Sequence, residues 1–281
     1  MDLSGKRILI TGASSGLGLA CVKRFAMLNA EIILLCRNEE KAKKMIEEVK
    51  KVVPKANLSL IICDLSSFNS VKNFIEVIKK RYDKIDVLIN NAAVMKQKRT
   101  LTGDGFETMF QVNFLSPVLL MKELAPLLAE SNYGHIINIT LPSKKLRFNF
   151  DDIQFEKNYK SFDSFFKIKL ALLLYSLKSA KNSTFKNIKI TCAVPNTKPF
   201  KSDLGRDTPF FIKFIKNLIS VPVEDVTENM VYLLEHGIKN RKTGEIISGK
   251  TSINPTVYWK DEKTQKQVYE LANNYRAQIF A

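Results

Sequence analysis

Residues 11 to 18 read TGASSGLG and stand between an apolar run, RILIT, and the start of a helical pattern. Glycines at 12, 16 and 18 let a backbone turn tightly and approach a bulky anion, while the helix aims its free N–H groups at the same anion. In that setting the turn makes a cradle for the pyrophosphate of a dinucleotide, with Gly12, Ser14, Ser15, Gly16, Leu17 and Gly18 as candidate contacts. The second apolar run ends LLCRN. A carboxylate at that strand end would hold a ribose 2′-hydroxyl and favour NAD. Cys36 stands there instead and Arg37 follows, which suits a 2′-phosphate and so NADP(H). In CDL, after the third run, Asp64 with Leu65 faces the expected adenine. NNAA, after the fourth, brings Asn91 and Ala92 to where the cofactor passes close.

These groups need a sheet to hold them. Apolar runs rich in β-branched residues recur at RILIT, AEIILLC, LSLIIC, DVLIN, HIINIT and IKITCAV. Between them lie segments of helical period, such as SVKNFIEVIKKRY, with Val71, Phe74, Ile75 and Ile78 on one face. Asn38 and Ser67 stand where helix N-caps are needed. Strands that are apolar throughout and separated by helices imply an α/β fold with a parallel sheet covered on both faces. One doubly wound domain accounts for residues 1–281, with no linker or repeat.

Bulk composition narrows the classes further. The 281 residues, 45% apolar and 26% charged, are enough for a substantial core, and no apolar run reaches membrane-spanning length. The first strand begins six residues after Met1, which leaves no room for a cleaved presequence and suggests an intracellular, cytoplasmic or organelle-associated protein. Cys21, Cys36, Cys63 and Cys192 form no C-x-x-C and read as buried free thiols of a reducing compartment. Two histidines are too few for a metal site of ordinary spacing. The net charge of +16 is mostly lysine interleaved with acids, as in EEKAKKMIEEVKK. It reads as a solvated helix face, or as attraction to an acidic protein or an anionic membrane surface; the lack of an Arg-rich or aromatic-basic motif disfavours nucleic acid.

In order, TGASSGLG, CRNEEKA, CDLSS, DVLINNAA, GFETMFQVNFLSPVLL, FDDI and KLA, with TGEIISG near the end, resemble the short-chain dehydrogenase/reductase family. The retinol-dehydrogenase-like branch is the most similar, and the likeness spans nearly the whole chain. It implies a Rossmann-type sheet and a known chemistry. In that family hydride passes between nicotinamide and a carbonyl while a Tyr phenol donates a proton and a Ser orients the oxygen. A Lys four residues after the Tyr binds the nicotinamide ribose and lowers the phenol pKa from about 10. An Asn on the preceding long helix supports the relay.

Asn113 matches the Asn and Lys169 the Lys. The Tyr position, in FFKIKLA, is Phe165. The Ser position, the fourth of Asn138, Ile139, Thr140 and Leu141, is Leu141. The resemblance therefore implies a chain that binds cofactor without acid–base catalysis and serves as a structural or interaction subunit of a larger assembly, possible homodimers included. The rival is an active NADP-dependent oxidoreductase on a retinoid, steroid or other lipid-like carbonyl or alcohol, with a rebuilt proton donor. Its candidates are weak. Tyr175 lies about 15 Å further along the helix on another face, and Tyr159 has Asp163 rather than Lys four residues on. Thr140 should point to the other face of the sheet, and Ser143 would need its loop to fold back. After the sixth strand, VPNTKPFKS supplies Pro195 as a cofactor contact but puts Asn196 in the place of Gly and Phe200 near the expected Thr. PFFIKFIKNLISVP, residues 209–222, takes the place of the family's substrate lid and reads as a lid or a docking helix.

Overall fold

The apolar runs are extended in the computed structural model, which describes residues 1–141, 143, 145–194 and 223–280. Residues 195–222, with Pro195, Asn196, Phe200 and the segment expected as a lid or docking helix, lie outside the described residues. The strands β1 (Arg7–Thr11), β2 (Glu31–Cys36), β3 (Asn57–Ile62), β4 (Val87–Asn90), β5 (His135–Ile139), β6 (Lys189–Val194), β7 (Glu245–Ser248) and β8 (Thr251–Ser252) form one sheet. Its order is β3-β2-β1-β4-β5-β6-β7-β8. Every pairing is parallel except that of β7 with β8.

Parallel neighbours require crossovers, and helices supply them on both faces. One layer holds α1 (Gly16–Met27), α2 (Glu39–Val52) and α8 (Val223–Lys239). The other holds α3 (Phe68–Arg81), then α4 (Thr108–Phe110), a π-helical stretch (Gln111–Leu115), α5 (Ser116–Glu123) and α6 (Ala125–Ala129), and finally α7 (Ser161–Ser179). Along β1, Ile8 and Ile10 pack into the first layer and Leu9 into the second. Both alternating sets are apolar because both faces are covered. β3, at the sheet edge, is only partly buried.

The chain ends with α9 (Val257–Lys260) and α10 (Glu262–Phe280), which lies across α7. Tyr269 of α10 stacks on Tyr175 of α7 with ring centroids 5.2 Å apart, and Arg276 donates from Nε to Glu123 of α5 at 2.8 Å. Asn38 and Ser67 do cap their helices, accepting from the N–H groups of Lys41 at 2.7 Å and Ser70 at 3.3 Å. All four cysteines are free and buried. Among the described residues no helix is long and apolar enough to cross a membrane. The chain winds from β1 outward to β3, then returns to β4 on the other side of β1. That reversal opens a crevice at the carboxyl ends of the strands, where sheets of this kind take their ligands.

Candidate active site

The floor of the crevice is built so that backbones nearly touch. Gly12 has φ +65° and Gly16 φ +53°, conformations that side chains rarely adopt. A Cβ on Gly12 would stand 2.9 Å from Cα of Ala92, and one on Gly18 only 2.2 Å from the Gly12 carbonyl oxygen. Polar bonds between β1 and β4 enforce this closeness. The Thr11 hydroxyl accepts from the N–H groups of Asn91 at 3.0 Å and Ala92 at 2.9 Å, and Nδ2 of Asn91 donates to the Thr11 carbonyl at 2.8 Å. Above this floor α1 begins. Unlike Asn38 and Ser67, its N-cap Ser15 makes no side-chain capping bond, so the first-turn N–H groups face the crevice uncapped.

A cleft of about 390 Å³ is lined by seven of the expected residues: Gly12, Ser14, Ser15, Arg37, Asp64, Leu65 and Ala92. Gly18 and Asn91 support the floor by the contacts above, and Leu17 faces a separate apolar gap of about 20 Å³ beside Ile139 and Ala193. Arg37 is exposed at its rim. Burial pushes the neighbouring Cys36 thiol up to about 11, so it stays neutral and puts no negative charge beside the guanidinium. Asp64 spends one oxygen locally, accepting from the Ser66 N–H at 2.9 Å and hydroxyl at 2.7 Å.

The cleft also takes in Cys63, expected as a buried thiol, and Lys41 and the stretch Val94 to Lys96, which sequence reasoning did not place there. The signal for Val94 was Asn113. Its Oδ1 accepts from the Val94 N–H and its Nδ2 donates to the Val94 carbonyl, each at 2.8 Å. Thus Asn113, fully buried on the π-helical stretch, clamps the backbone along one wall.

At the carboxyl end of β5 the chemistry is sparser. Phe165 and Lys169 stand one turn apart on α7, each 2% exposed. Lys169 Nζ donates to the Ile139 carbonyl at 3.1 Å, and burial lowers its pKa to about 8. Thr140 is fully buried and its hydroxyl has no partner among the described residues. Leu141 is half-buried and packs on the same apolar cluster as Phe165. Asn138 is a strut: it donates to Ser176 at 2.8 Å and accepts from Asn90 at 2.7 Å, tying β4, β5 and α7 together.

The other candidate hydroxyls make no hydrogen bond to Lys169 among the described residues. Tyr175 turns its ring toward α10, stacked on Tyr269 and edge-on to Phe114, because ten residues of helix rotate it away from the Phe165 face. Tyr159 donates to the Lys96 carbonyl at 2.7 Å, and burial raises its pKa, which holds the proton in place. Ser143 accepts from the Lys145 N–H at 3.4 Å.

A doubly wound parallel sheet with a glycine-floored crevice at its switch point defines a nucleotide-binding type of α/β protein. Residues 6–146 match the short chain dehydrogenase family, and the chain belongs to that family. It is 32% identical over 270 residues to retinol dehydrogenase 14 of Homo sapiens, covering 86% of this chain and 79% of that protein. Polyprenol dehydrogenase of Homo sapiens is 28% identical over 216 residues, 75% of this chain and 66% of that one. Among solved structures, a metagenomic short-chain oxidoreductase in complex with NADP is similar in fold, with a TM-score of 0.66 at 20% identity, covering 91% and 99% of the two chains.

Proposed function

We propose that the chain holds NADP(H) in this crevice, has lost acid–base catalysis, and acts as a structural or interaction subunit of a larger assembly. The single observation behind the loss is Phe165, an apolar ring one turn before a buried Lys169. It stands where the family's proton donor is expected, and no other phenol among the described residues takes its place. Leu141 likewise offers no hydroxyl to orient a carbonyl oxygen.

The residues present fit the dinucleotide. Gly12 and Gly18 leave no room for side chains beneath it, the first-turn N–H groups of α1 suit a pyrophosphate, and Arg37 beside a neutral Cys36 suits a 2′-phosphate. When bound, the cofactor supplies or accepts a hydride; the chain's own residues here bind and orient. The interaction role draws on the +16 charge and the apolar 209–222 sequence, which fit an acidic protein or an anionic surface rather than nucleic acid. The test is thermal. NADPH should raise the melting temperature more than NADH, and at a hundred times its Kd should add about 2.7 kcal/mol. No shift from either cofactor would remove the binding claim.

The retained Asn113 and Lys169, with relatives that are retinol and polyprenol dehydrogenases, favour one second reading. In it the chain reduces a lipid-like carbonyl, or oxidises the alcohol, with a rebuilt proton donor. NADPH-dependent turnover that Lys169→Ala abolishes would establish that reading over the first.

A further inference from the structure

A second pocket opens at the other end of the sheet, where β5, β6 and β7 begin. It holds about 370 Å³ and is lined by Lys186, Lys189 and Arg241, with Asn132, Asn187 and Thr243 between them. None of the residues lining it is acidic. The length of β5 and β6 puts roughly 15–20 Å of sheet between this pocket and the crevice at the carboxyl ends.

The three cations differ in how they are engaged. Lys189, 2% exposed, donates from Nζ to the Glu245 carboxylate at 2.9 Å and to the Asn240 carbonyl at 2.6 Å. Glu245 also meets His236 at 3.1 Å, so its charge is already shared. Arg241 is held but not neutralised. Its Nη2 donates to the Asn187 carbonyl at 3.0 Å and reaches the Gly134 carbonyl at 3.5 Å, and among the described residues no carboxylate pairs with it. These bonds tie the guanidinium to the segments that lead into β5 and β6, which orients it before any ligand arrives. Lys186 is exposed, and among the described residues it has no hydrogen-bond or ion-pair partner. The side-chain amides of Asn132 and Asn187 are unengaged in the same sense. Burial lowers the Lys189 pKa; Glu245 opposes that shift and the charge of Arg241 adds to it. Positive charge therefore exceeds negative at this spot.

We propose that this pocket binds the phosphate monoester group of a small soluble molecule. Such a group carries nearly two negative charges at neutral pH and three acceptor oxygens. Lys186 and Arg241 supply the two uncompensated charges. The guanidinium fork and the two asparagine amides supply N–H donors, and the lysine adds a movable point charge. A monocarboxylate would leave one cation unmatched. At about 370 Å³ the pocket lies at the small end of ligand sites, which suits a short carbon skeleton on the ester. The inference does not rest on dinucleotide binding, since no residue lining this pocket lines the crevice.

The test is calorimetric titration of the whole chain with glycerol 3-phosphate at low salt, with glycerol as the neutral control. Glycerol 3-phosphate should bind with a Kd of about 1 mM or below, and glycerol should give no signal. Lys186→Gln and Arg241→Gln should each weaken binding by about tenfold, the loss of one charge-assisted contact. Lys43→Gln removes the same charge from an exposed site on α2 and should change nothing, which separates the pocket from the general attraction of a +16 chain for anions. Arg37→Ala, at the crevice, should also leave the affinity intact. Absence of binding, or equal weakening by Lys43→Gln, would overturn the proposal. Binding lost with Arg37→Ala would put the phosphate in the crevice and overturn it too. Vesicles of phosphatidylcholine with phosphatidic acid carry the same group on a surface. Capture by these vesicles without a response to glycerol 3-phosphate would overturn the soluble ligand in favour of a lipid headgroup. Should Arg241→Gln fail to fold, Lys186→Gln decides, because it breaks no bond among the described residues.

Discussion

The two ends of the crevice are built on opposite terms. At the β1–β4 end polar side chains tie the backbones together, Thr11 with Asn91 and Ala92 and Asn113 with Val94, and the close approach of Gly18 to Gly12 admits glycine alone. At the β5–α7 end, beyond Asn138, Phe165 and Leu141 are apolar, and among the described residues the Thr140 hydroxyl has no partner and Lys169 bonds a carbonyl alone. Binding a dinucleotide needs the first kind of construction and can outlast loss of the second. A scaffold under selection for occupancy rather than turnover would keep its floor and let its proton donor drift to a ring of the same volume.

The largest effect that would sharpen this contrast is a gain of rate. A positioned general acid contributes about 10²–10⁴ in rate. Phe165→Tyr with Leu141→Ser should therefore raise NADPH oxidation with retinal or a medium-chain aldehyde from background by about 10²-fold or more. Phe165→Tyr alone should do little, because the carbonyl stays unoriented. Robust wild-type turnover that survives Lys169→Ala would break the contrast, since chemistry would then have moved elsewhere.

Next in size is the cost of the buried lysine. Its folded pKa of about 8 lies below the unfolded value near 10.5, so between those limits the unfolded chain binds the extra proton. Stability should then rise with pH across the window from about 8 to 10, by up to about 3 kcal/mol, and the penalty should be fully present below pH 8. Lys169→Met should remove that slope and stabilise the protein at pH 7. The measurement is urea unfolding of both proteins at pH 7.5 and 9.5. Equal slopes would mean that the ammonium is solvated in the folded protein and that its burial carries no such cost.

A smaller change tests the floor. Gly18→Ala puts a Cβ against the Gly12 carbonyl oxygen, and the strands joined there cannot easily yield. Overpacking of this kind costs about 1–3 kcal/mol. The variant should melt lower and lose its NADPH response, whereas an alanine that is tolerated with full response would show that the floor is looser than its contacts imply.

Much of this was legible beforehand because it is local. Strand runs, the glycine turn, the Asn38 and Ser67 caps and the buried stripe of α3 all follow from spacing within a dozen residues. The parallel sheet followed from strands apolar on both faces. What sequence could not supply was contact across distance. Val94 enters the cleft because Asn113, nearly twenty residues on, clamps its backbone, and Lys96 because Tyr159 and Ser161, more than sixty residues on, donate to its carbonyl. The bond of Lys169 to the Ile139 carbonyl depends on where α7 lies against β5, which no local pattern encodes. Likewise, Tyr175 is settled by α10, whose Tyr269 covers it from almost a hundred residues away.

The smallest expected effect concerns Arg37. It is exposed, so its attraction for a 2′-phosphate is screened by solvent and salt, and the acids Glu39 and Glu40 stand close by in sequence at the start of α2. An exposed charge pair is worth about 1 kcal/mol at most, or about fivefold in Kd. Arg37→Ala should weaken NADPH by about that factor while leaving NADH unchanged, and the difference should shrink at high salt. A titration with both cofactors at two ionic strengths separates the outcomes. Equal weakening of both would make Arg37 a residue that shapes the end of β2 rather than one that reads the phosphate. A loss much larger than fivefold would mean that the guanidinium is desolvated when cofactor binds, and that the rim closes over it.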